Sequence, residues 1–269
     1  MRPLASALRS ASPLAALRCR QWLHFALLPL AGQLGAGSRL FGGIAVAALC
    51  LAFAYGVNGV SDRATDLDPR KNPLAGLDRY DPSVRLLLAL CAAAALGGAT
   101  VLGRQSLAAA FSSLLAGALY SAGPRVKRFP FVCTLSNVVI FAPLLWLALP
   151  PDGAPRGFAL MVASFVTLLV QNQLLHECAD ATEDARAGVL TTARLLGERT
   201  TRRVVIALGA VGALLLAPLS PSTIGVAIAA LGLLAATAVA LPAGLAASRR
   251  RVLHRQLAML AGAALYAAL

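Results

Sequence analysis

Runs of about 20 apolar residues, roughly what a helix needs to cross a hydrocarbon core of about 30 Å, recur along the whole of this chain. Of its 269 residues 58% are hydrophobic and only 13% charged, against about 25% charged in a soluble domain. A water-soluble fold has nowhere to hide that much apolar surface, so the sequence reads as one all-α integral membrane bundle without a soluble domain. Nine transmembrane helices are expected, at about 21–37, 41–60, 84–103, 105–123, 131–150, 157–179, 203–218, 222–244 and 252–269. The runs are long and rich in Leu and Ala, and they lack the ten-residue alternation of a membrane barrel.

A net charge of +13 would suggest nucleic acid as a partner for a soluble protein; here the placement of the charges makes the lipid bilayer the partner instead. With the N-terminus in the cytoplasm, 21 of the 24 Lys and Arg residues fall on the cytoplasmic side, and only Arg39, Arg104 and Arg156 fall opposite. That is the positive-inside bias of a multi-pass protein, and a bacterial inner (cell) membrane is the expected location. Residues 1–20 read as a basic cytoplasmic tail, with Arg18 and Arg20 as an anchor before Trp22, and residues 21–269 as the transmembrane domain. A transit peptide shares the tail's Arg- and Ser-containing, acid-free composition. The cysteines at 19, 50, 91, 133 and 178 show no paired spacing and read as small hydrophobes.

Acidic residues are scarce and gathered. Of eleven, five fall between Asp62 and Asp81 and four between Glu177 and Asp184, both groups on the cytoplasmic side of the expected topology. The first reads Asn58-Gly-Val-Ser-Asp62-Arg-Ala-Thr-Asp66, placing three polar side chains at i, i+4 and i+8, one helical face. The second closes the longest apolar run and holds Asp180 and Asp184 one turn apart, preceded by His176 and Glu177. Like charges at this spacing repel unless a cation stands between them. Hard oxygen ligands in such pairs suit magnesium, which keeps positions for water and substrate phosphates. Two such helices facing each other would form a four-carboxylate cup in a central cavity opening to the cytoplasmic side; solvated loop charges are the plainer alternative for either cluster alone.

In these residues the chain resembles the UbiA superfamily of intramembrane prenyltransferases, whose members carry NxxxDxxxD after the second helix and DxxxD after the sixth. Tyr120-Ser121, Pro124 and Lys127-Arg128 resemble the family's loop after the fourth helix. Arg186, Gly188, Thr191 and Gly197 resemble the stretch after its second motif. The chain departs from many members at Gly59, where an acidic residue is common, and at Lys71-Asn72-Pro73-Leu74, where an Arg-Pro pair is common.

The resemblance implies that Asp62, Asp66, Asp180 and Asp184 ligate magnesium, two ions being expected, with Asn58 as a neutral contact. It makes Arg63, Lys127, Arg128 and Arg186 candidate contacts of a prenyl diphosphate. Tyr120, Asn172 and His176 are candidates for the acceptor or prenyl pocket, and His176 or Glu177 for an acceptor base or a partner behind the metal site; an interhelical hydrogen bond is the alternative for both, and Asn172 and Gln173 share that ambiguity. Phe25, Phe53, Phe111 and Phe141 are candidates to line a prenyl groove. The implied activity is magnesium-dependent transfer of a prenyl group to a lipophilic acceptor such as a quinone precursor, a tetrapyrrole alcohol or a glycerol lipid. A UbiA-type terpene cyclase would use the same site without an acceptor, and a cation-coupled transporter is an alternative from another class.

Overall fold

The computed structural model describes residues 12–32, 38–66, 68–70, 72–77, 81–123, 125–147, 149–150, 153–154, 157–186, 188–218, 231–235, 237 and 247–268. Among these there is no strand. Two short helices, α1 (Pro13–Ala16) and α2 (Cys19–Trp22), lead into a 3₁₀ segment, Leu23–Gly32. The long helices are α3 (Ser38–Asp62), α4 (Ser83–Leu102), α5 (Arg104–Ser121), α6 (Val132–Phe141), α7 (Phe158–Arg186), α8 (Thr192–Leu216) and α9 (Ala247–Ala268). A 3₁₀ turn, Ala142–Trp146, extends α6 where Pro143 denies the ladder a donor.

Among the described residues, three helices are long and apolar enough to cross a membrane: Arg39–Asp62, Ser83–Leu102 and Phe158–Arg186. They coincide with the second, third and sixth expected spans. The first expected span is instead the 3₁₀ segment Leu23–Gly32, with Pro29 inside it, and residues 33–37 lie outside the described residues. Most of the expected span 222–244 lies outside them too. Within residues 13–20, read as tail, Ala16 is buried with Leu74, Val84 and Leu88, and the Leu17 carbonyl accepts from Trp22 Nε1–H at 2.6 Å.

Small residues let the helices close. At Gly117 of α5 a Cβ would stand 2.7 Å from the Ala54 Cβ of α3, so only glycine permits that approach. The main core cluster joins α3, α4, α5 and α6 around Ala47, Cys50, Leu51, Ala95, Ala110 and Leu144. Helices α7 and α8 pack closely, with Leu174, Leu175 and Val205 buried between them.

Two helix ends set the site. Helix α3 stops at Asp62, whose carbonyl accepts from the Thr65 and Asp66 amides at 2.9 and 2.8 Å. Helix α7 runs past the expected end at 179 to Arg186, because Ala179, Ala181 and Ala185 favour helix. It ends at Gly188, φ 66°, where the Val189 amide reaches the Asp184 carbonyl at 2.8 Å and the Gly188 amide reaches Ala185 at 3.2 Å. This is a Schellman closure, which a glycine in the left-handed region makes possible.

Candidate active site

Because α3 ends at Asp62, the three polar residues of the first motif do not share one helix as the spacing suggested. Asn58 and Asp62 lie on its last turns; Asp66 sits in the turn beyond. Asp62 is buried, 8% exposed, and draws in the loop after α5. Arg125, held at φ 50°, donates Nη2–H to Asp62 Oδ1 at 2.9 Å, and Lys127 Nζ is bonded to the same carboxylate.

The loop after α3 folds back over it. Asn72, fully buried, donates Nδ2–H to Asp66 Oδ2 at 2.9 Å and to the Gly59 carbonyl at 2.9 Å, and its Oδ1 accepts from the Leu74 amide at 3.0 Å. A Cβ at residue 59 would stand 3.2 Å from Asn72 Oδ1 and 3.5 Å from the Arg18 side chain. The two departures from the family pattern therefore belong together: glycine at 59 leaves room for the asparagine at 72. Burial raises the Asp66 pKa, and the Asn72 hydrogen bond opposes that rise. Burial likewise pulls the Lys127 ammonium down, against the attraction of Asp62.

On α7, Asp180 Oδ2 lies 3.1 Å from His176 Nδ1, one turn earlier. Asp184 is half-buried and has Asp180, Glu177 and Glu183 as like-charged neighbours. Glu177 serves a different purpose. Buried at 4%, it accepts from Cys133 Sγ at 3.0 Å, Thr134 Oγ1 at 3.4 Å, Gln173 Nε2 at 3.0 Å and the Ala193 amide at 2.9 Å. The last of these caps the first turn of α8, whose own N-cap Thr191 makes no side-chain cap bond. Gln173 in turn accepts from Asn137 at 2.8 Å, and Asn137 bonds Tyr120. Glu177 and Gln173 are thus consumed in tying α6, α7 and α8 together.

Tyr55 of α3 has basic residues from two distant segments as neighbours. Arg18 stacks over its ring at 5.9 Å and lies in the field of Asp66 and Asp62. From α9, Arg251 lies in the field of Tyr55, Asp180 and Tyr120. Among the described residues no three His, Cys, Asp or Glu side chains converge to hold a metal ion. Arg18 and Lys127 lie in the field of Asp62 and Asp66, and Arg251 in that of Asp180, an arrangement that offsets the repulsion between carboxylates.

The other expected residues are less drawn in. Arg63 turns back onto the Val60 carbonyl at 3.0 Å, and Arg128 and Arg186 are exposed. Asn172 is half-buried with its Oδ1 enclosed. Phe25 packs on Phe141 at 4.7 Å, and Phe141 meets Tyr55 edge-on at 6.5 Å. Phe111 is 56% exposed and points out of the bundle. Pro124 and Lys71 lie outside the described residues. Sequence reasoning missed Arg18, Arg125, Asn72 and Arg251; three of them were absorbed into the cytoplasmic charge count, and only the basic run Arg125–Arg128 offered a signal.

The UbiA prenyltransferase family model matches residues 22–267, and the chain belongs to that family. Solved structures share its fold. A UbiA homologue from Archaeoglobus fulgidus bound to DMAPP and Mg²⁺ is 20% identical, with a TM-score of 0.69 over 96% of this chain and 100% of its own. Its GPP- and Mg²⁺-bound form is 19% identical, TM-score 0.69, over 95% and 100%. A digeranylgeranylglyceryl phosphate synthase is 12% identical, TM-score 0.70, over 95% and 96%. No curated protein matches the sequence.

Proposed function

We propose that this chain is an intramembrane prenyltransferase that ionises a prenyl diphosphate between its Asp62–Asp66 and Asp180–Asp184 motifs and passes the prenyl group to a lipophilic, aromatic acceptor. One observation carries the reading: Arg125 and Lys127, from the loop after α5, meet the Asp62 carboxylate at the end of a membrane-length helix. Cations suited to a diphosphate thereby meet a carboxylate suited to a metal, which supports the reading. The DMAPP, GPP and Mg²⁺ bound by the Archaeoglobus relatives support the same ligands here. In this reading the bundle has nine spans, its N-terminus is cytoplasmic, and the cavity opens to the cytoplasmic side of a bacterial inner membrane.

The donor set fits magnesium: hard carboxylate oxygens on two segments, with Asp66 Oδ1 taking no hydrogen bond from the described residues while Oδ2 is held by Asn72. Magnesium bound by Asp62, Asp66, Asp180 and Asp184, as two ions, would supply positive charge to the leaving diphosphate. Lys127 and Arg125 bind diphosphate oxygens as an ammonium and a guanidinium fork. As the allylic carbon–oxygen bond breaks, its electron pair leaves with the diphosphate. The aromatic rings of Phe25, Phe141 and Tyr55 shield the prenyl cation from water. Since Glu177 is fully engaged, His176 is the group on α7 placed to take the acceptor's proton.

The same rings favour a second reading, because aromatic faces stabilise cations and a terpene cyclase needs no acceptor. Purified protein given magnesium and GPP, with and without a panel of aromatic acceptors, separates the readings by mass spectrometry. Prenylated acceptor supports the transferase; a cyclic product without acceptor assigns the cyclase. Absence of any diphosphate release, in folded protein, overturns both and returns the cation-coupled transporter.

A further inference from the structure

Two residues apart on an α-helix face about 200° apart, so Cys178 looks away from Asp180. On the Cys178 side, α7, α8 and the start of α9 line an open cavity of about 310 Å³. Arg194, Arg202 and Arg250 line it together with one carboxylate, Glu198. Helix α8 breaks there at Gly197 (φ 74°, ψ 161°), and the first turn of the helix that restarts lines the same space with Glu198, Thr201 and Arg202. Guanidinium forks favour a phosphate. The remaining wall is apolar, with Leu175 and Val205 leading down the α7–α8 interface.

We propose that this cavity binds a phosphate-bearing anion, and that in the membrane the occupant is the headgroup of an anionic phospholipid. The cavity lies at the polar end of the apolar run of α7, beside residues 175–181, the level at which headgroups stand. Basic pockets between transmembrane helices recognise such headgroups, and the apolar wall suits the first carbons of an acyl chain. The inference rests on the proposed membrane placement and not on the prenyl chemistry. Inorganic diphosphate, a free anion of the same chemistry, is the other source.

Cys178, half-buried in the cavity wall, supplies the reporter. Full-length protein carrying Cys19→Ser, to remove the exposed thiol, is reconstituted in phosphatidylcholine alone, in phosphatidylcholine with phosphatidylglycerol, and in phosphatidylcholine with inorganic diphosphate added. The rate of Cys178 alkylation by N-ethylmaleimide is then read by mass spectrometry. Phosphatidylglycerol is expected to slow it about fivefold or more, and Arg202→Gln with Arg250→Gln to abolish the protection while leaving magnesium-dependent diphosphate release intact. Should that double variant fail to fold, Arg194→Gln alone gives the same reading. An alkylation rate indifferent to phosphatidylglycerol, or protection that survives the Arg substitutions, overturns the proposal. Protection by diphosphate but not by phosphatidylglycerol overturns the lipid assignment. If wild-type protein releases no diphosphate at all, the labelling result still stands by itself.

Discussion

The two aspartate motifs share a spacing and little else. The first ends a helix and lies half in a turn; Arg125 and Lys127 pair with its Asp62, and Asn72 donates a hydrogen bond to its Asp66. The second lies on unbroken helix, with His176 one turn before Asp180 and three acidic neighbours around Asp184. Its support comes instead from Glu177, which fixes α7 to α6 and α8 from the side. The same DxxxD pattern is thus built once as a charge-paired loop and once as a clamped helix. Stability and activity are accordingly expected to separate at the second motif and to fall together at the first.

Asp62→Asn carries the largest expected effect. It strips the counter-charge from two partly buried cations, so unfolding stability falls by about 3 kcal/mol and diphosphate release drops at least about 100-fold, measured by denaturant titration and a release assay. Asp184→Asn is expected to match the loss of release with a stability change under about 1 kcal/mol; equal destabilisation at both positions would break the comparison. Glu177→Gln places an amide donor against the Ala193 amide or the other donors, costing about 1–3 kcal/mol and lowering the thermal midpoint.

Asn72→Ala has a smaller, pH-dependent consequence. The Asn72 donor stabilises the Asp66 carboxylate and holds its pKa below where burial alone would put it. Its loss raises that pKa, so protons compete with the metal at higher pH and the acid limb of the pH–rate profile moves upward. Phe111→Ala, on an outward face, is expected to leave release within about twofold.

Much of the scaffold was legible in the sequence. Apolar runs of membrane length announce α3, α4 and α7 because nothing but a helix satisfies its backbone there. Both motifs were equally visible as clustered acids in an acid-poor chain. Partners were harder to read. Arg18 and Arg251 lie far from either motif along the chain, and a count that assigns basic residues to one membrane face has no means of telling an anchor from a cation turned into a cavity. Asn72 looked like a departure from the family pattern until the structure set it against Gly59. Glu177 stood so near Asp180 that a catalytic role and an interhelical hydrogen bond were equally open; the packing of α6 and α8 around it shows its bonds already taken.

The central claim, that both motifs act on one metal-bound diphosphate, is tested most directly by following diphosphate release from GPP during a magnesium titration of wild type, Asp66→Ala and Asp184→Ala. Release that rises with magnesium, stops on chelation, and is lost in either variant while both remain folded is the predicted result. Release that persists in one variant at near wild-type rate would contradict the account.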